Sequence, residues 1–160
     1  MNSDETAQRA ILVSPEALLA SVGAAFGPTA WRIIDQDRID RFAVATDDHQ
    51  WIHCDVRRAG ESPFGTTIAH GYLTLSLFSA FLPDLVEVRR CAMSVNVGLN
   101  RLRFVTPVPA GGRLRARAEL LSAIEKGDSV EVILLVMMEL EGSSRPACVL
   151  EPVIRFYTEH

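Results

Sequence analysis

The densest run of chemically capable side chains is Thr46-Asp47-Asp48-His49-Gln50-Trp51-Ile52-His53-Cys54-Asp55, and a second polar site follows at His70-Gly71. Asp48 and His53 stand five residues apart, and on a loop such a pair can converge on one water molecule. The carboxylate can accept a proton, and the imidazole titrates near neutrality and can hold or pass one. Gly71 lies at the start of an apolar run, where a helix leaves its first-turn N–H groups free. A glycine there lets a ligand come close to the backbone. A carbonyl oxygen gaining negative charge could be stabilised at that point. Together these parts make a general acid/base pair and an oxyanion site.

Residue types alone leave other uses open. Such clusters also serve as helix caps and surface ion pairs. His49 and His53 are four apart and could bind a metal on one helix face, with Asp48 or His70 completing the set. The run lacks a helical period and Trp51 lies between them, so no metal is expected. Cys54 beside His53 suggests a Cys–His nucleophile, but neighbouring side chains in an extended loop point apart. His70 also fits a structural role, hydrogen-bonding the loop beneath the helix.

The elements that must position these groups are legible from periodicity. Ser14-Pro15-Glu16 opens a helix running to about Ala25, stopped by Gly27-Pro28. Residues 31–34 suit a short strand. Asp35 or Asp37 caps a second helix with Ile39, Phe42 and Ala43 on one face. Residues 47–63 read as a loop with one helical turn at 56–59. Residues 67–81 read as a helix apolar almost all round, hence buried on every side, and Pro83 ends it. From Ser94 the period becomes two. Leu102 and Phe104 alternate with Arg101 and Arg103, and Leu114, Ala116, Ala118 and Leu120 alternate with Arg113, Arg115, Arg117 and Glu119. Two further apolar strands follow, separated by turn signals, so an antiparallel meander is expected. A buried helix followed by such strands predicts an α+β architecture.

The chain of 160 residues suits one domain, with residues 1–10 as a flexible arm. Its 48% hydrophobic and 22% charged content is ordinary for a globular protein. A net charge of −4 supplies no bulk field for nucleic acid. No apolar stretch reaches the ~20 residues of a membrane span, and no signal-peptide pattern opens the chain, so a cytoplasmic location is expected. Cys54, Cys91 and Cys148 are odd in number and widely spaced, which argues against a disulfide framework.

Two motifs now carry a resemblance. Asp48-x-Gln50-Trp51-Ile52-His53-x-Asp55 and Phe64-Gly65-x-Thr67-Ile68-Ala69-His70-Gly71 resemble the hydratase-2 motif of MaoC-like dehydratases and (R)-specific enoyl-CoA hydratases. The wording is most similar to the NodN-type single-domain branch, and Asn100-x-x-Arg103-Phe104-x-x-Pro107-Val108 resembles the strand that follows there. The resemblance implies a hotdog fold, a long central helix wrapped by a curved antiparallel sheet, paired as a homodimer. It implies an acyl-thioester substrate, carried by coenzyme A or a carrier protein, and no cofactor. Asp48 and His53 would activate water, and the Gly71 N–H would hold the thioester carbonyl. Gln50, Ser79 and His70 would support them. Asp47 stands where the family has Gly, and Trp51 where its wider membership has Pro.

Arg101, Arg103 and Arg113 are candidates for coenzyme A phosphates, a role that suits arginine. Two alternatives remain. A hotdog thioesterase would carry a carboxylate on its central helix, and residues 67–81 contain none. A non-catalytic acyl-thioester-binding subunit would bind substrate without turning it over.

Overall fold

The period-two half of the chain forms long strands. The structure, a computed structural model, describes residues 9–159. Four long strands dominate: β5 (Cys91–Phe104), β6 (Gly112–Lys126), β7 (Ser129–Leu140) and β8 (Cys148–Thr158). Before them come β1 (Ala10–Leu12), a 3₁₀ helix over Pro15–Ser21, β2 (Ala25–Phe26), β3 (Arg32–Ile34), α1 (Gln36–Thr46), α2 (Trp51–Cys54), α3 (Val56–Gly60), α4 (Gly71–Ser76), α5 (Phe78–Leu85) and β4 (Val86–Val88). The main sheet is antiparallel, in the order β2-β6-β7-β8-β5, with β3 also on β6. Along β6, Leu114, Ala116, Ala118 and Leu120 are buried while Arg113, Arg117 and Glu119 are exposed, as alternation requires.

The helix α4–α5 packs on the apolar face of this sheet. Phe81 and Leu85 share one core with Leu114, Met138, Leu150 and Ile154. Each large side chain so buried contributes about 1.5–3 kcal/mol. The arrangement is α+β, as expected.

Four local expectations are corrected. Residues 14–25 are not one helix, because the sheet captures their second half: Gly23 N–H donates to Leu120 O at 2.8 Å, and Ala24 O accepts from Leu120 N–H. The central helix does not begin at Thr67. Ala69 N–H donates to Val108 O and Ala110 N–H to Thr67 O, which holds residues 67–69 extended along 108–110. Pro83 sits inside α5 and does not end it; the Ser79 carbonyl that it leaves without a donor belongs to an exposed residue. Finally, only β6, β7 and β8 form a meander. β5 pairs with β8 because β2 and β3 already occupy the outer edge of β6.

Of the expected arm, residues 1–8 lie outside the described residues, and Ala10 pairs with Val86 in a parallel β1–β4 ribbon.

Candidate active site

α1 begins where sequence places it, with Asp35 capping the Arg38 N–H at 2.9 Å. It ends at Asp47, whose backbone turns left-handed at φ 57 and ψ 18. That conformation suits the glycine that the family resemblance implies here: without a Cβ it is free of strain. Aspartate is among the few other residues that adopt it. Replacing Asp47 with Gly is therefore expected to raise stability by up to about 1 kcal/mol, after the entropy of glycine offsets part of the relief. Denaturant titration checks this; a loss of stability would show that the Asp47 side chain makes a contact worth more than its strain.

α2 is a single turn, and it places His53 in the interior at 7% exposure. The His53 Nδ1 lies 2.6 Å from the Ile68 carbonyl oxygen. A carbonyl only accepts, so Nδ1 carries the proton and Nε2 keeps its lone pair. Ile68 is itself fixed, because its N–H donates to Ile52 O at 3.0 Å. His70, at the start of α4, stacks on the His53 ring at 3.8 Å between centroids, with Phe42 against it at 5.0 Å. Its Nε2 donates to the Asp48 backbone carbonyl at 3.0 Å. His70 thus ties the loop that carries Asp48 to the helix start.

Asp48, His53 and His70 each offer an atom within 4.8 Å of the others. That spacing suits a metal, but the lone pairs do not. The two rings are stacked at 26° and 3.8 Å apart, so the lone pairs left on them lie in two separate, nearly parallel planes, which one ion cannot meet along both, and Nδ1 of His53 and Nε2 of His70 already face carbonyls. His49 is exposed and stands outside the cluster.

Burial drives the His53 pKa below its ordinary 6.5; the Ile68 bond opposes this, the nearby His70 reinforces it and Asp48 opposes it. The ring is therefore neutral at pH 7. Activity depending on neutral His53 is expected to persist below pH 6.5 before its acid limb falls. The sign for stability follows. The unfolded ring binds its proton at higher pH than the folded one, so stability falls as pH drops from 6.5 through the folded value. Thermal melts from pH 7.5 to 5, wild type beside His53→Ala, check this; an equal acid slope in both would remove His53 from it. Burial, with Asp40 and Asp48 nearby, raises the Cys54 thiol pKa, which disfavours it as a nucleophile.

His53, Ile68, Gly71, Thr74, Phe104 and Val108 line a mostly apolar cavity of about 450 Å³. Gly71 meets a steric demand here: a Cβ would stand 3.0 Å from the Phe104 ring.

Other expected residues are placed differently. Gln50 is exposed and contributes its backbone carbonyl, which accepts from the His53 N–H at 2.9 Å. Ser79 is exposed and lines a separate cavity of about 280 Å³, where Asn96 Nδ2 donates to its hydroxyl at 3.4 Å. Within one chain it does not join the pair. Arg113 pairs with Glu141 at 2.8 Å, and Arg101 with Glu151 at 3.8 Å. Arg115 and Arg117 share Glu139. This arginine face is largely self-neutralised. Arg103 has no carboxylate partner among the described residues.

Two residues escaped sequence reasoning. Gln36, the first residue of α1, donates from Nε2 to the His53 backbone carbonyl at 2.8 Å and accepts from the Thr67 hydroxyl. Arg58 lays its guanidinium over Trp51 at 4.3 Å, beside α2, with no carboxylate partner for its side chain among the described residues. Gln36 has no spacing signal, because its partners His53 and Thr67 are met across the fold, and Arg58 reaches Trp51 only because two short helical turns fold back on each other.

Comparison with known proteins places this geometry in context. The family model described as the MaoC-like domain matches residues 18–139. The 3-hydroxyacyl-thioester dehydratase Z of Mycobacterium tuberculosis is 42% identical over 140 residues, covering 87% of this chain and 93% of that protein. Nodulation protein N of Rhizobium leguminosarum bv. viciae is 46% identical over 129 residues, covering 79% of this chain and 80% of that protein. Among solved structures, the (R)-hydratase from A. caviae involved in PHA biosynthesis superposes with a TM-score of 0.68 at 26% identity, covering 83% of this chain and 94% of that one.

Proposed function

Because the chain belongs to the MaoC-like domain family, we propose that it is an (R)-specific enoyl-thioester hydratase, or 3-hydroxyacyl-thioester dehydratase, of the hotdog fold. The observation that carries this reading is the state of His53. Its Nδ1–H is committed to Ile68 O, so Nε2 is the nitrogen left to receive a proton; the ring lines an apolar cavity, with an Asp48 carboxylate oxygen within 4.8 Å of one of its nitrogens.

The thioester carbonyl draws electrons from the C2=C3 bond. Water held between the Asp48 carboxylate and His53 Nε2 attacks C3. The proton that the pair takes from water is returned to C2 on the same face. The enolate oxygen formed between these steps rests against the Gly71 N–H. One water hydrogen ends on the new hydroxyl and the other on C2, so no electrons are exchanged and no cofactor is required. Run backwards, the same groups dehydrate a 3-hydroxyacyl thioester. Gln50 holds the turn that carries His53, through its carbonyl.

For the phosphates of coenzyme A, the residues without carboxylate partners serve better than the paired ones. Arg103 beside Phe104, and Arg58 beside α2, take precedence over Arg101 and Arg113. A cytoplasmic location belongs to this reading, since such thioesters are made there. No described helix is long and apolar enough to cross a membrane.

A second copy of the chain is part of the proposal. Among the described residues β5 pairs only with β8, and its other edge is bare. Met93, Val95, Val97 and Leu99 along it are 38–54% exposed. An unpaired apolar edge of this length favours pairing with another strand. Sedimentation equilibrium should return twice the 17.6 kDa chain mass; a stable monomer at micromolar concentration would remove the homodimer.

The thioesterase alternative gains a carboxylate that the shorter expected helix lacked, because α5 extends to Leu85 and includes Asp84. Asp84 is paired with Arg32 at 2.6 Å and does not line the His53 cavity. The hydratase reading is tested by loss of enoyl-thioester absorbance with crotonyl-CoA and longer enoyl-CoA substrates. Binding without turnover across all of them would leave a non-catalytic acyl-thioester-binding subunit.

A further inference from the structure

His53 sits on a helical turn of four residues that has no side-chain cap. Such a turn has almost no stability of its own, so its position is imposed from outside. We propose that Gln36 is a positioning residue for the reaction, its amide setting where the His53 ring stands. The proposal rests on the hydratase reading above and goes beyond it, since Gln36 is absent from the cavity wall and does not touch substrate.

The hydrogen bonds fix the amide unambiguously. Nε2 donates to the His53 carbonyl at 2.8 Å and to Asp40 Oδ1 at 2.8 Å, both pure acceptors. Oε1 accepts from the Thr67 hydroxyl. An amide has two N–H donors on one side and a carbonyl on the other, and every one of these is used. Thr67 is buried at 1% exposure and precedes Ile68, whose carbonyl takes the His53 Nδ1–H. The result is a closed circuit: the His53 carbonyl to Gln36, Gln36 to Thr67, Thr67 along the chain to Ile68, and Ile68 back to the His53 ring. His53 is therefore gripped at its backbone and at its ring by one rigid segment, itself paired to residues 108–110.

Opening the circuit at Gln36 leaves the ring bond in place but frees the turn to shift. A misplacement of about 1 Å at a catalytic group can cost on the order of 10²-fold in rate. Glutamate at this position would be the same size yet offer no donor to the His53 carbonyl when ionised, and would oppose Asp40.

The test uses the full chain with crotonyl-CoA and the variants Gln36→Met, Gln36→Glu and Thr67→Val. Expected is a kcat lower by roughly 10- to 100-fold in both Gln36 variants, with KM held within about two-fold. Thr67→Val should fall in the same direction, and Gln36→Met/Thr67→Val should be no worse than Gln36→Met alone, because one circuit is broken once. The ¹⁵N and ¹H signals of the His53 ring report its tautomer and Nδ1–H directly, and should move in Gln36→Met. A kcat within about two-fold of wild type while the melting temperature falls would reduce Gln36 to a structural residue and overturn the proposal. If the wild type itself hydrates nothing, the hydratase reading fails. The ring signals then still decide: an unchanged His53 spectrum in Gln36→Met overturns the positioning role, and a shifted one supports it.

Discussion

Asp48→Asn and His53→Ala should each lower kcat for enoyl-thioester hydration by about 10²–10⁴-fold, the range associated with a positioned acid/base group. The two are not equivalent as experiments. Asp48 is exposed, and its contact with His70 runs through the backbone carbonyl, which asparagine retains. Stability should therefore be unchanged in Asp48→Asn, and any loss of rate belongs to the carboxylate. His53 is buried and holds Ile68 O. Its removal leaves that carbonyl without a donor and takes away the ring on which His70 stacks, at a cost of about 1–3 kcal/mol. Melting curves must accompany the His53→Ala kinetics for that reason. The double variant should be no slower than the worse single one, because residues acting on one water act as a unit. Retention of a tenth or more of wild-type kcat by Asp48→Asn would remove Asp48 from the chemistry.

Gly71→Ala should separate rate from stability most sharply. The added methyl would lie 3.0–3.1 Å from three carbons of the Phe104 ring, tighter than van der Waals contact. Alanine gains at most about 1 kcal/mol over glycine in a helix, and less at a first helical position such as Gly71. Crowding of a packed ring costs about 1–3 kcal/mol, and Phe104 is 47% exposed, so it can yield toward solvent. The net change in stability should be small. Activity should not be spared, because Phe104 lines the cavity and a ring pushed aside alters the approach to the Gly71 N–H. Loss of one oxyanion donor costs about 10²–10³-fold in kcat, and a comparable fall is expected here. Steady-state kinetics beside thermal melts check it. Full activity with an unshifted melting point would show that the thioester carbonyl is held elsewhere.

Much of the site was legible in the residue order because its key groups are local. Asp48 and His53 are five positions apart, and the cap at Asp35 and the left-handed exit at Asp47 are properties of the chain itself. The strands β6, β7 and β8 were readable for the same reason, since side-chain alternation reports which face is buried before any partner is known.

What the order of residues could not express is which backbone groups meet across the fold. The helix before the sheet starts at Gly71 because Thr67 and Ala69 find better partners in Ala110 and Val108, and hydropathy carries no record of that competition. Ser79 looked like a neighbour of the pair by its place in the motif, yet α5 carries it into a different cavity. Arg113 stood as a phosphate candidate, yet Glu141, just past the end of β7, pairs with it, and Glu139 on β7 takes Arg115 and Arg117. The tautomer of His53, the anchor of His70 on Asp48 O and the bridging amide of Gln36 all depend on carbonyls brought close by tertiary contact. Sequence determined which side chains can do this chemistry and on which short elements they ride. Tertiary structure alone decided which nitrogen is free to act, because a proton on an imidazole goes where an acceptor waits, and every residue supplies the same acceptor.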